Sequence, residues 1–329
     1  MDRPMSPELD FISPTPIDKP DEDGERGTGY NYECDSVLDG YDIPYYSEKL
    51  DITAPFSYQV AGHDPFLKAK GGLICKPFVP RELWFYLQLE KHDSEFKSVV
   101  AQFLGCVEFT TAEICDFTKV KKEDYMTAWA EKIHQGHLQR INIKPPTNHR
   151  YLVLNDLTYN LKWPCVMDLK MGQRAYGDDA TPKKVQSQTL KSKQTTSFST
   201  GLRICGCQGF SVVLDQFWQL HKYEGRKITK DTMPLAFRKF FHNDEELRTD
   251  VIQQILEEAV KIHDIVSKNT FRLYSTSLLL IYDGDPDVTR VHLKMIDFAH
   301  TFPAGGKPID DGYILGLNNL ISLLRSLLS

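Results

Sequence analysis

Apolar residues recur with the periods of strands and helices in the part of the chain that follows residue 50. Short runs rich in β-branched and aromatic residues predict strands at 56–60 and 72–77. The next segment, 81–90, has Leu83 and Leu87 at helical spacing, which predicts an amphipathic helix. We therefore expect a pair of strands followed by a helix after residue 50.

The middle of the chain continues this mixture. We predict strands at 98–109 and 151–154, with a helix at 122–136 between them. With 329 residues, the chain is long for one hydrophobic core and has room for two lobes. We place the boundary near Asp156, which gives an N-terminal lobe, 51–156, and a C-terminal lobe, 157–329.

The pattern in the second half of the chain predicts a larger share of helix. A basic helix is expected at 182–193 and a long amphipathic helix at 244–268, where Asn243 and Glu246 can form a capping box. The mixed order of strands and helices indicates an α+β fold. The other predicted elements are strands at 202–208, 277–282 and 291–298 and a closing helix at 315–328.

Residues 1–50 differ in composition from the rest. They contain six of the 18 prolines, and their eight Asp and five Glu against two Lys and two Arg give a formal charge of −9. Burial cannot offset the entropy of ordering such a segment, so we predict an acidic, disordered tail. The tail is a candidate binding segment for regulatory proteins.

The rest of the chain is mildly basic, because the whole chain has a net charge of −6 and residues 51–329 therefore carry +3. Segment 180–214 has no acidic residue, which indicates an anionic partner. The excess is small and the basic helix lacks interleaved aromatic residues, so we do not expect nucleic-acid binding. The cations of this segment are Lys183, Lys184, Lys191, Lys193 and Arg203.

Composition also indicates a compartment. No stretch approaches the roughly 18 apolar residues of a membrane span, and no apolar run follows a basic start as in a secretory signal. The seven cysteines are odd in number and scattered, which favours reduced thiols. We expect an intracellular monomer, cytoplasmic or nuclear, without a membrane partner.

A kinase needs a cation for the ATP phosphates, an acid for Mg²⁺ and a charge stabiliser for the phosphoryl group. Lys76 ends a predicted strand and Glu82 opens the next helix, so an ion pair between them would fix the lysine, although such a spacing is common. Asp297 ends another predicted strand, where its carboxylate can reach Mg²⁺. A turn aspartate is the alternative interpretation of Asp297.

The segment 164–172 contains an acid and a base, Asp168 and Lys170, two residues apart. In an extended chain both side chains project from one face, so they point into one site. Gly172 permits a turn or the close approach of a ligand.

The basic helix carries Lys184, Gln188 and Lys191 on one stripe, at i, i+4 and i+7. A solvated lysine face is the usual explanation for such a stripe. The lack of nearby acids, with Lys170 and Arg174 just upstream, favours a surface that binds polyphosphates.

These residues resemble the inositol polyphosphate kinase family, whose signature Pro-x-x-x-Asp-x-Lys-x-Gly occurs at 164–172. Segments 59–63, 274–279 and 295–300 resemble three further elements of the family, in the same order. The resemblance begins near residue 56 and leaves out about 110–148. It implies a two-lobed, reduced protein-kinase-like α+β fold with ATP between the lobes.

The resemblance also implies roles for the nucleotide and its metal. Lys76 and Glu82 would be the phosphate lysine and its helix partner, while Asn155 and Leu157 would form the hinge that meets adenine through its backbone. Asp168 would hold the ribose.

The implied metal ligand is Asp297, assisted by Ser277, and the implied cofactors are ATP and Mg²⁺. Catalysis would then depend on Lys76, Asp168, Lys170 and Asp297. The family resemblance and the charge pattern together predict the residues that face inositol phosphates, namely Lys170, Arg174, Lys184, Gln188, Lys191, Lys222, Arg226 and His300.

Local details at 177–180, 222–226 and 277–284 look most like the inositol hexakisphosphate kinases, which implies the conversion of hexakisphosphate and pentakisphosphate to diphosphoinositol phosphates. Two alternatives stay open: a multikinase that phosphorylates hydroxyls of tris- or tetrakisphosphates, with Asp168 as proton acceptor, and a catalytically silent sensor. Glu224 stands where an aromatic residue is usual, and it would place an acid beside the substrate.

Overall fold

The computed structural model of the chain describes residues 36–62, 64–92, 94–110, 149–306 and 310–329, with the single positions 113, 131 and 135. The predicted tail lies outside the described residues up to position 35. The predicted helix 122–136 also lies outside them, except for positions 131 and 135, which are helical.

The first sheet has five antiparallel strands in the order β1-β2-β3-β5-β4. Strand β3, which contains the predicted phosphate lysine, is paired with β5, which ends at the predicted hinge. The strands are β1 Ile52–Pro55, β2 Leu67–Ala69, β3 Leu73–Pro77, β4 Phe103–Phe109 and β5 His149–Asn155. Helices α1 (Pro80–His92) and α2 (Ser94–Lys97) follow β3.

The second sheet also has five antiparallel strands, in the order β11-β10-β6-β7-β8. Strands β9 and β12 form a separate antiparallel pair. The strands are β6 Pro164–Met171, β7 Leu202–Ser211, β8 Gln216–Leu220, β9 Phe271–Leu273, β10 Ser277–Asp283, β11 Val291–Ile296 and β12 Thr301–Pro303.

Six further helices accompany the second sheet in the described part of the chain. They are α3 Pro182–Lys193, α4 Thr196–Thr200, α5 Lys222–Gly225, α6 Met233–Phe240, α7 Thr249–Ser267 and α8 Asp311–Leu328. None of the helices among the described residues is both long and apolar enough to span a membrane. The cysteines among the described residues, at positions 75, 106, 165, 205 and 207, are free thiols.

Three local predictions differ from the structure. The strand predicted at 98–109 is shorter, since β4 begins at Phe103. The predicted strand 56–60 is a loop, because the Gln59 side chain closes a turn by donating to the Asp64 carbonyl (2.9 Å) and accepting from the Phe66 N–H (3.2 Å). The long helix begins at Thr249 and not at 244, because the Asn243 side chain accepts from the N–H groups of residues 245 and 246 and forms a turn before the helix.

Helix α1 packs against the end of β11 through aromatic rings. Phe85 stacks on Phe298 with the ring centroids 4.0 Å apart, and it contacts the edge of Phe271 at 5.2 Å. Tyr86 stacks on Phe103 of β4 at 5.1 Å. These rings fix α1, and therefore its first-turn residue Glu82, relative to both sheets.

Arg248 is a buried arginine, 2% exposed, that organises the loop between β10 and β11. Its guanidinium donates to the carbonyls of Asp285 (3.1 Å) and Val288 (3.0 Å) and forms an ion pair with Asp250 (2.8 Å). The carboxylate of Asp283, at the start of the same loop, accepts from the backbone N–H groups of residues 162 and 163. The loop therefore anchors the segment that joins the two sheets.

We predict that Arg248→Ala lowers the free energy of unfolding by about 3 to 5 kcal/mol, since it removes a buried ion pair and leaves several carbonyls without donors. Chemical denaturation measures the effect. Arg238→Ala on α6, an exposed arginine, is the matched control and should change the stability by less than about 0.5 kcal/mol. Equal stabilities of the two variants would contradict this account of the loop.

Candidate functional site

Lys76 lies between two carboxylates that come from different parts of the fold. Its Nζ is 2.8 Å from Oε1 of Glu82 on α1 and 2.5 Å from Oδ1 of Asp297, which follows β11. The same Glu82 oxygen accepts from the N–H of Phe298 at 3.3 Å. The predicted Lys76–Glu82 ion pair is therefore present, and Asp297 extends it.

Burial by itself lowers the pKa of the Lys76 amine, but the charges of Asp297 and Glu82 outweigh it and leave that pKa raised. Lys76 is 9% exposed, and its raised pKa keeps the amine charged at neutral pH. Asp297 has φ of +65°, in the left-handed region, which turns the chain at the end of β11 and directs this carboxylate to Lys76.

Asp168 and Lys170 lie two residues apart on β6, as predicted, and thus on one face of the second sheet. Lys170 is paired directly with Ser277 of β10. Asp168 is 6% exposed and its Oδ1 has no hydrogen-bond partner. Burial and the nearby Asp297 raise the pKa of Asp168 to about 6, against the opposing effects of Lys170 and Ser277.

These side chains fit a magnesium ion that is shared with a nucleotide. The described residues contain no group of three or more His, Cys, Asp or Glu side chains that could hold a metal ion alone. Asp297, Asp168 and the Ser277 hydroxyl nevertheless form an oxygen-rich group in which Asp168 has an unused buried oxygen. Mg²⁺ is commonly held by one or two carboxylates together with substrate phosphates and water.

The predicted hinge follows β5. The Asn155 side chain accepts from the N–H of Gln102 at 2.6 Å, and the Asp156 N–H donates to the Gly72 carbonyl at 2.8 Å. Leu157 packs against a buried apolar cluster that includes Val60, Val166 and Ile281. Because Val166 is two residues from Asp168 on β6, this cluster lies on the Asp168 face and offers an apolar surface to an adenine ring.

A cavity borders the same hinge on residues other than this apolar cluster. It has a volume of about 520 Å³ and is lined by Tyr86, Leu89 and Phe103, together with Asn155 and Leu157. Neither Lys76 nor Asp168 nor Asp297 lines it, so the predicted phosphate and metal groups lie outside this cavity.

His300 lies among the predicted substrate residues. Burial lowers the pKa of its imidazole to about 4, and the positive charges of Lys184 and Lys170 act in the same direction. Helix α3 brings Lys184 there, beginning with Pro182 and capped by the Thr181 hydroxyl, which accepts from the Lys184 N–H. Lys170, Lys184 and His300 therefore converge, while Gln188 and Lys191 follow on the same helix.

Arg174 has structural partners that the sequence prediction did not include. Its guanidinium donates to Asp178 at 2.8 Å and stacks on the Tyr274 ring at 3.9 Å. Arg272 pairs with the same Asp178 carboxylate. Arg174 thus helps to hold the loop between β6 and α3, and its contact with substrate stays a prediction.

Helix α5 begins with Lys222 and is followed directly by Arg226. Their charged groups lie 5.0 and 5.8 Å from the ring centre of Tyr223. The carboxylate of Glu224 accepts from the His221 N–H at 2.8 Å and thereby caps the helix. This contact holds the Glu224 carboxylate at the start of the helix, and its place beside the substrate stays a prediction.

Sequence reasoning missed Arg81, and it counted Arg203 among the cations of segment 180–214 without assigning it to the site. Arg81 lies one residue before Glu82, donates to Asp179 at 3.3 Å and stacks on Phe302 at 4.1 Å, and its charge contributes to the lowered pKa of His300. Arg203 pairs with Lys170 across β6 and β7. The signal for Arg203 was the absence of acids in 180–214; Arg81 gave no separate signal.

Comparison with known sequences identifies one family of proteins. The family model of inositol polyphosphate kinase matches residues 151–325. The inositol hexakisphosphate kinase 3 of Mus musculus is 35% identical over 237 residues, which cover 64% of this chain and 60% of the relative. The inositol hexakisphosphate kinase 1 of Rattus norvegicus is 30% identical over 404 residues, covering 84% and 93%. The chain spans less than two thirds of the mouse and human kinase 3 sequences, at 60% and 63%.

Solved structures show the same fold. An inositol phosphate multikinase from S. cerevisiae, in complex with ADP and Mn²⁺, is 25% identical with a TM-score of 0.61, covering 79% of this chain and 100% of that one. A second inositol phosphate multikinase structure is 28% identical with a TM-score of 0.50, covering 54% and 85%. The fold is therefore the predicted kinase-like α+β fold.

We predict that His300 makes the stability of the protein depend on pH. Its folded pKa of about 4 lies below the value near 6.5 of an unfolded histidine. The contribution of His300 to the free energy of unfolding is therefore present above pH 6.5 and is lost as the pH falls towards 4. The free energy of unfolding of His300→Gln should therefore decline less than that of the wild type over this range. Chemical denaturation at a series of pH values measures both, and parallel curves would contradict the prediction.

Proposed function

Because the chain belongs to the inositol polyphosphate kinase family, we propose that it transfers the γ-phosphoryl group of ATP to an inositol phosphate, with the hexakisphosphate as preferred acceptor. One observation carries the proposal: Lys76, Asp297 and Asp168 form one group, and the cations Lys170 and Lys184 lie beside it. In this arrangement the groups that suit a nucleoside triphosphate would lie next to groups that suit a second polyanion.

The nucleotide would bind with its adenine on the apolar cluster below Leu157 and its phosphates near Lys76. Asp168 would hold the ribose, in keeping with its unused buried oxygen. Asp297 and Ser277 would hold Mg²⁺, which when bound neutralises charge on the phosphates. Glu82 would keep Lys76 in place when Asp297 turns to the metal.

The acceptor would be a phosphate group of the hexakisphosphate. Its oxygen forms a bond to the γ-phosphorus while the bond from that phosphorus to the bridging oxygen of ADP breaks, and ADP leaves with the electron pair. A phosphate oxygen is anionic near neutral pH and needs no strong base. The protein therefore contributes mainly positive charge, from Lys76 and Lys170, to a loose transition state.

One observation supports the multikinase as a second candidate. A hydroxyl acceptor must lose a proton, and Asp168, with its pKa raised to about 6, could accept it. The solved neighbours named inositol phosphate multikinases agree with this candidate, whereas the sequence relatives are named hexakisphosphate kinases.

Asp297→Asn should abolish turnover and leave the binding of inositol hexakisphosphate unchanged, since the substitution removes a metal ligand but none of the substrate cations. Radiolabelled ATP measures turnover and calorimetric titration measures binding. Asp287→Asn, in the exposed loop between β10 and β11, is the matched control and should retain full activity. Turnover of the Asp297 variant at the wild-type rate would refute the metal assignment.

A substrate panel separates the two candidates. Purified protein with Mg-ATP is offered inositol tris-, pentakis- and hexakisphosphate, and the products are separated by anion-exchange chromatography. We expect conversion of the hexakisphosphate to a product that carries one more phosphate. Phosphorylation of the trisphosphate with no reaction of the hexakisphosphate would favour the multikinase.

A further inference from the structure

Arg203 has no assigned role among the predicted site residues or in the proposed chemistry. It stands directly opposite Lys170 in the antiparallel pair of β6 and β7, so the two side chains leave the same face of the sheet. The charge of Arg203 also acts on Asp168, whose carboxylate lies on that face. Arg203 is therefore part of the same site as Lys170.

The guanidinium of Arg203 forms no ion pair with a carboxylate within the described part of the chain. Its recorded side-chain contact is a weak one, 3.9 Å from Nη2 to the Cys205 Sγ, and its Nε is buried without any hydrogen-bond partner. Other arginines of the fold behave differently, since Arg81, Arg174 and Arg248 each pair with an aspartate. A half-buried cation without a carboxylate is costly unless an anionic ligand completes it.

Arg203 also lies between the two groups of predicted substrate cations. On one side Lys170 connects it to Lys184 and His300. On the other side α5 is packed on β7 next to it: a Cβ on Gly225 would lie 2.3 Å from the carbonyl oxygen of the adjacent residue 204. Arg203 is thus paired with a strand residue of the first group and adjacent in the chain to the residue on which α5 packs.

We propose that Arg203 binds a phosphate group of the inositol phosphate and favours the most highly phosphorylated acceptor. The proposal rests on the proposed function and adds a specificity residue to it. A planar guanidinium binds phosphate through two parallel hydrogen bonds, which lysine cannot do. Each additional phosphate on the ring needs a further cation, and Arg203 supplies one that forms no ion pair with a carboxylate of the described residues.

The test uses two neutral variants of the full chain, Arg203→Gln and Arg203→Met, so that either can decide the result if the other does not fold. Calorimetric titration measures the Kd for inositol hexakisphosphate, for inositol trisphosphate and for an ATP analogue with Mg²⁺. Arg238→Gln, an exposed arginine on α6, is the matched control. Circular dichroism establishes which variants are folded.

We expect the Kd for the hexakisphosphate to rise about tenfold to hundredfold, the loss usual for a charge-assisted pair of hydrogen bonds. The Kd for the trisphosphate should rise less, and that for the ATP analogue should stay within twofold of the wild type. In turnover assays the KM for the hexakisphosphate should rise more than kcat falls. The control should match the wild type in every measurement.

Two results would overturn the role of Arg203. An unchanged Kd for the hexakisphosphate would show that the guanidinium does not contact it. Equal losses for the hexakisphosphate and the ATP analogue would show that Arg203 acts through the charge of Asp168. If the wild type itself binds no inositol phosphate, the proposed function fails together with this inference, whereas normal wild-type binding with unchanged variants refutes Arg203 alone.

Discussion

The candidate site depends on one buried positive charge that needs two negative charges. Lys76 is 9% exposed, and without Glu82 and Asp297 its ammonium group would be unpaired in a region that excludes water. Glu82 comes from α1 and Asp297 from the end of β11, so the pairing requires that both elements be placed accurately. The stack of Phe85 on Phe298 provides that placement.

Charge also explains how the rest of the site is arranged. The lowered pKa of His300 keeps its imidazole neutral, which avoids adding another positive charge next to Lys184 and Lys170 before an anion binds. The carboxylate of Glu224 is directed to the start of α5, where it accepts from the His221 N–H. Arg174 is paired with Asp178. Among the described residues, Lys170, Lys184 and Arg203 therefore group positive charge where a polyphosphate would lie.

Elements with a strong period were predictable, as the basic helix 182–193 shows, because one local pattern determines them. The errors arose where a polar side chain competes with the pattern: Gln59 closes a loop in place of a strand, and Asn243 forms a turn before α7. In the site, the pairing of Lys76 with Glu82 could be anticipated from their spacing. Other features depend on tertiary contacts that no local pattern contains. They are the contact of Lys76 with Asp297, 221 residues away, and the buried Nε of Arg203 that has no hydrogen-bond partner in the described residues.

A crystal structure with Mg²⁺ and a non-hydrolysable ATP analogue tests the central claim, that Lys76 contacts the phosphates of a nucleotide and Asp297 binds their metal ion. The account predicts that Lys76 keeps its contact with Glu82 and contacts a phosphate, while Asp297 leaves Lys76 and binds the metal. Adenine should lie on the apolar cluster beside Leu157. A nucleotide bound in the cavity lined by Tyr86 and Phe103, with the Lys76–Asp297 pair intact, would contradict the account.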